Sequence, residues 1–235
     1  MNTSHTANLK KGLWLGLLGI TIFAMTLPMT RLAVGTPEAP LMSGLFIAVG
    51  RAVVAGLLSA LLLWFSRAPL PPRDTWGPLV LVALGVVFGF PIFTSLAMRH
   101  VEAVHASVMV GVLPLATAVV GAFLNRQRPS TGFWVCALAG TALVVAFAVL
   151  RSGHSGLSLQ MADVLLLLAM ACAAVGYGHG GRLSQRMRAE HVICWALVIA
   201  LPINLPLAVW QFPSVALPAS AWGAFAYVSV FSMWL

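Results

Sequence analysis

From Val104 to Leu124 the chain runs for roughly 20 residues without a formal charge, the length and character of a helix that crosses a bilayer. Along it Ser107, Gly111, Pro114, Ala118 and Gly121 recur at helical spacing on one face. A stripe of small residues admits a second backbone or leaves room for a ligand. Pro114 also lacks an N–H, which frees the carbonyl of Val110 in a medium that offers no replacement donor. The chain is therefore expected to be organised around Ala97 to Leu124, with this helix shielded from lipid on at least one side.

Composition extends that reading to the whole molecule. Of the 235 residues, 60% are hydrophobic and 8% charged, where a soluble domain carries roughly a quarter charged. The fold class expected is an all-α integral membrane bundle. A net charge of +8 would suit a nucleic-acid partner, but the basic residues recur in small groups between apolar runs, as topology signals do. Cys136, Cys172 and Cys194 each lie inside an apolar run and read as packing residues. Lys10 and Lys11 precede an apolar run too long for a cleaved signal peptide, so a signal-anchor helix is expected.

Eight spans follow from the apolar runs: Gly12 to Val34, Met42 to Phe65, Trp76 to Ala97, Val104 to Leu124, Gly132 to Leu150, Met161 to Gly180, His191 to Trp210 and Ala221 to Leu235. Assigned alternately to two sides, the loops place Lys10, Lys11, Arg67, Arg73, Arg126, Arg128, Arg182, Arg186 and Arg188 on one side, and Arg99 and Arg151 on the other. That bias predicts an inner-membrane protein with a cytoplasmic N-terminus. The last run stops at Leu235 without a polar exit, as if within a helix. Two short matches suggest an internal repeat: Thr75-Trp76-Gly77-Pro78-Leu79 with Ala221-Trp222-Gly223-Ala224-Phe225, and Arg31-Leu32 with Arg182-Leu183. An offset of about five spans makes the copies inverted, giving residues 1–151 as a first five-helix repeat and 152–235 as an incomplete second.

Candidate functional residues come from features that lipid would waste. In the first span Gly12, Gly16, Gly19, Phe23, Thr26 and Thr30 share a face, with Pro28 loosening the helix beside them. The third span carries Phe90-Pro91-Ile92-Phe93-Thr94, where Pro91 leaves the carbonyl of Val87 without its donor, and the seventh has Pro202 and Pro206 around Asn204. Arg51 lies about ten residues into the second span, where a charge is costly unless paired or hydrated. Its alternative is to snorkel to the headgroups. Gly176-Tyr177-Gly178-His179-Gly180-Gly181 fits G-x-G-x-x-G in letters, but a membrane span precedes it where a strand is required. Glycine at that density is expected to unwind the end of the sixth span and free Tyr177 and His179 to gate or bind. His100-Val-Glu102-Ala-Val-His105 resembles one histidine box of a membrane di-iron enzyme, but too few further ligands converge, and no metal or cofactor is expected.

Taken together, the chain resembles an EamA-type member of the drug/metabolite transporter superfamily over nearly all its length. Ala97-Met98, Ala106-Ser107 and Pro114 match a run of that family across its third and fourth helices. Arg51-Ala52, Ala55 and Leu57 to Leu63 are similar to its arginine-led second helix, and Gly140 to the glycine of its fifth. The resemblance implies ten helices in two inverted five-helix copies, of which eight spans are present, and export of metabolites, amino acids or drugs through a central cavity. Asn125-Arg126-Gln127-Arg128-Pro129 departs from the family's G-E-R-like close to its fourth helix, losing an acid at Gln127. The function expected is alternating-access export. The alternatives are an intramembrane metal-dependent enzyme and a structural membrane subunit. The partners expected are a small-molecule solute and the lipid bilayer, with a homodimer as the assembly to consider and no nucleic acid. The substrate pathway is expected to comprise Phe23, Thr26, Pro28, Thr30, Phe93, Thr94, Ser107, Gly111, Pro114, Tyr177 and His179, with Arg51 as the charge within the membrane.

Overall fold

The computed structural model describes residues 3–126, 128–151 and 161–234, with backbone alone at 3–11, 144–145 and 147–151. Gln127, the boundary at 152 between the expected repeats, and Leu235 lie outside the described residues, as do the side chains of Lys10, Lys11 and Arg151. The helices in order are α1 (Thr3–Ala24), α2 (Thr26–Val34), α3 (Gly44–Phe65), α4 (Trp76–Val82), α5 (Phe90–Ala97), α6 (Ala103–Val110), α7 (Leu113–Leu124), α8 (Thr131–Arg151), α9 (Met161–Leu183), α10 (Ala189–Trp210) and α11 (Ala219–Val230). Six stretches are long and apolar enough to cross a membrane: Gly12–Val34, Gly44–Phe65, Arg73–Ala97, Ala103–Leu124, Met161–Leu183 and Ala189–Trp210. α11 is shorter, at 12 residues.

Three spans are interrupted, each at or just ahead of a proline. The first breaks at Met25, and the Tyr227 hydroxyl donates to the carbonyl of Ile22 there at 2.9 Å. In the third, Ala83–Gly89 forms a π-helical segment in which the Phe90 N–H donates to the carbonyl of Gly85. This register shift falls immediately before Pro91, where an α-helix would lose a donor. The fourth stops at Val110, and Pro114 stands in the first turn of α7, where its missing N–H costs nothing. The helix thus breaks ahead of the proline, instead of continuing past it with an orphaned carbonyl at Val110. Pro202 and Pro206, by contrast, sit inside an unbroken α10.

One expectation fails outright: α9 runs continuously through Gly176-Tyr177-Gly178-His179-Gly180-Gly181 to Leu183. The glycines serve close approach, not unwinding. A Cβ on Gly176 would lie 2.6 Å from Val86 Cγ2, and one on Gly178 would lie 2.7 Å from Val120 Cγ1. Because hydrocarbon cannot replace a lost backbone hydrogen bond, the helix stays wound and its bare face brings neighbours in.

Packing is arranged in pairs: α3 against α10, α2 against α11, and the third span against α9, which also carries α7. The α3–α10 pair is antiparallel, with Ser43 Oγ donating to Gln211 Oε1 at 3.2 Å near one end and Gly56 against Leu197 and Leu201 farther along. The fourth span, expected to be shielded on at least one side, packs one face on α9 but has only 6% of its apolar stretch buried. The face it packs on α9 is Val110, Leu113, Ala116 and Val120, while the Cβ direction at Gly121 meets nothing within 4 Å. The stripe of small residues is the open face.

Contacts between loops sort the two ends of the bundle. Arg186 pairs with Asp74 at 2.7 Å, placing the segments around residues 66–75 and 184–188 at one end. Arg99 donates to the carbonyl of Met42 at 2.8 Å and Arg31 to that of Met98, placing residues 35–43 and 98–102 at the other. Arg31 therefore joins Arg99 on the sparsely basic side. The turn there holds Glu38, whose carboxyl is kept below the ordinary carboxylate range by a backbone hydrogen bond and then by the Thr36 hydroxyl.

Candidate functional site

Along α3 the apolar core is interrupted once. One cluster, built with α2, α11 and the ends of α5 and α9, includes Phe46 and Ile47; a second, built with α4 and α10, resumes at Ala52. Between them lies Arg51, 2% exposed, about 10 Å along the helix from its start. Snorkelling would leave the guanidinium at a membrane surface, whereas here it is sealed inside the bundle. Its Nε and Nη1 are fully buried, and no hydrogen bond or ion pair is found for it among the described residues.

The α3–α10 register puts Asn204 at the level of Arg51. Asn204 is 1% exposed, and neither its Oδ1 nor its Nδ2 has a hydrogen-bond partner among the described residues. Two further buried hydroxyls lie beside α3: Ser59 on α3 itself, next to the Cys194 thiol of α10, and Ser95 on α5, whose backbone abuts Gly44 at the start of α3. On α9 Tyr177 is the titratable group whose charge would reach Arg51. The result is a sparse column of polar side chains through the apolar bundle. Burying such groups costs free energy unless something pairs with them. Functional sites are where folds carry that cost.

The other sequence candidates divide. Phe23 stacks on Phe90 at 6.3 Å between ring centroids, and Phe93 packs against the same cluster of Leu113, Ala169 and Met170. Thr30 and Thr94 are buried, but bond back to the carbonyls of Thr26 and Phe90 at 2.7 and 2.6 Å. Thr26 reaches out of its helix to donate to Ser232 Oγ at 2.8 Å, and Pro28 is half-buried beside it. Ser107, Gly111 and Pro114 are exposed on the open face of the fourth span, away from this group. His179 is half-buried near the end of α9. His105 meets Asp163 instead of a metal, Nε2 to Oδ1 at 2.6 Å, and no three His, Cys, Asp or Glu side chains converge among the described residues.

Asn204, Ser59 and Ser95 were not singled out by the sequence. Asn204 had a signal: a carboxamide in a span without charges is costly in lipid whatever its proline neighbours do to the helix. Single serines carry no such signal, since they bond readily to their own helix.

Comparison with known proteins agrees with this architecture. A crystal structure 20% identical in sequence superposes with a TM-score of 0.61, covering 93% of this chain and 76% of that one, a likeness of fold alone. The "Uncharacterized transporter YdeK" of Bacillus subtilis (strain 168) is 41% identical over 222 residues, 93% of this chain and 74% of that protein. Residues 10–150 match the model of the EamA-like transporter family. A multi-pass helical bundle with a buried polar seam, matched to these relatives over most of its length, belongs to the EamA-like transporter family and is a membrane transporter.

Proposed function

We propose that this transporter exports small solutes across the inner membrane by alternating access, with the solute passing along the α3–α10 seam. The observation that carries the reading is the occlusion of Arg51 and Asn204, which are 2% and 1% exposed and stand between two apolar clusters. A solute reaching this level needs the clusters to part at one end at a time. Pairing of the helices supports an inverted repeat, because exchanging the first span with the sixth and the third with the eighth turns one observed pair, α2 with α11, into another, α5 with α9. Tyr177, whose charge would reach Arg51, flanks this path on α9, whereas Phe23 and Phe93 belong to the cluster with Leu113, Ala169 and Met170, and Thr26 is bonded to Ser232. The end bearing Arg67, Arg126 and Arg186 faces the cytoplasm, on the bias of basic residues.

The test is efflux from proteoliposomes loaded with labelled amino acids, short carboxylates, amines and neutral solutes. At least one class leaves faster than from protein-free vesicles, and Asn204→Leu slows it. No accelerated efflux of any class overturns the export reading.

A further inference from the structure

We propose that Arg51 and Asn204 together bind a carboxylate, so that the solutes carried are small organic acids and zwitterions with a carboxylate group. This rests on the export reading above for the movement of the solute, although binding itself is independent of it.

The argument starts from charge. A guanidinium is always protonated and offers only donors, and deep in a membrane protein it is retained when something of opposite charge or strong acceptor character meets it. The whole chain holds five acidic residues, Glu38, Asp74, Glu102, Asp163 and Glu190, all near helix ends. Asp74 is engaged by Arg186, Glu190 by Arg188 and Asp163 by His105. No carboxylate within these 235 residues stands at the depth of Arg51, which leaves the guanidinium open to a counter-charge brought by a ligand.

Geometry narrows the ligand further. A planar guanidinium takes both oxygens of a carboxylate in parallel hydrogen bonds, which a spherical anion cannot reproduce. Asn204, at the same level on α10, can add an N–H donor for the same oxygens, and its Oδ1 can accept from an ammonium beside them. A cationic solute would be repelled by Arg51, and a neutral one would leave the charge as costly as before. Above and below, the apolar clusters that include Phe46 and Leu197 suit a hydrocarbon remainder.

The test uses the full chain in detergent and matched ligand pairs: acetate and acetamide, hexanoate and hexanamide, benzoate and benzamide. Binding is followed by tryptophan fluorescence and thermal stability. At least one carboxylate binds tenfold or more tightly than its amide. That preference falls to about unity in Arg51→Gln, survives weakened in Arg51→Lys, and drops severalfold in Asn204→Leu, with elution on size exclusion unchanged in at least the last two. A preference for no carboxylate, a preference that survives Arg51→Gln, or equal binding of chloride overturns the proposal. Carboxylate binding without efflux of any solute retains the site and overturns export. Efflux of neutral solutes that Arg51→Gln leaves unchanged retains export and overturns the site.

Discussion

Replacing Gly85 by alanine should weaken the fold even though alanine is the better helix former. An added Cβ would lie 2.4 Å from the carbonyl oxygen of Cys172 and 2.8 Å from both Cα and N of Gly176. All three are backbone atoms, so no side chain can turn aside. Ordinary Cβ contacts begin at 3.4 Å, which requires the third span and α9 to separate by about 1 Å. Overpacking of this kind costs about 1–3 kcal/mol, while alanine returns up to about 1 kcal/mol of helix propensity. With the full offset, the net expectation is a loss of up to about 2 kcal/mol. Gly121→Ala is the control, because its Cβ meets nothing within 4 Å. Equilibrium unfolding by sodium dodecyl sulfate in mixed micelles, followed through the eight tryptophans, measures both. Gly85→Ala as stable as the unsubstituted protein would refute the close-approach reasoning.

Further expectations are more local. Tyr227→Phe removes the donor to Ile22 at the break in the first span and should cost on the order of 0.5–1 kcal/mol in the same unfolding assay. Single cysteines at Arg67 or Arg186, in a background lacking Cys136, Cys172 and Cys194, should be shielded in intact cells from an impermeant thiol reagent, and one at Glu38 labelled; the reverse pattern would invert the orientation. Folding lowers the pKa of Glu38, so its stabilisation of the turn is present above the ordinary carboxylate range and lost as pH falls through its folded value. Protection of the Ala39 amide, which donates to Thr36 Oγ1 at 3.1 Å, measured relative to its intrinsic exchange rate at each pH, should therefore fall on acidification, and Glu38→Gln should remove that dependence.

The spans were legible because runs without charge have few other destinations, and the buried arginine was legible because nothing else in those runs resembles it. What misled is equally physical. Glycines at Gly176, Gly178, Gly180 and Gly181 read as a loosened helix by propensities measured in water, but in a bilayer the backbone must stay bonded, and at Gly176 and Gly178 the bare face is used for packing. In the fourth span two stripes share the helical period, and spacing alone does not say which one meets a neighbour. The apolar stripe through Leu113 and Val120 packs, and the small one through Gly121 does not. Asn204 was overlooked because its neighbouring prolines drew the reading toward backbone geometry and away from its own carboxamide.

Alternating access along the α3–α10 seam is tested most directly at Asn204, which is sealed from both ends in this structure. With the native cysteines replaced, Asn204→Cys is exposed to a small anionic methanethiosulfonate from outside intact cells and, separately, from the cytoplasmic face of inverted vesicles. The account predicts labelling from each side in its own experiment, faster than with a cationic reagent of equal size because of Arg51 alongside. Labelling from neither side, or from one side only, would contradict it.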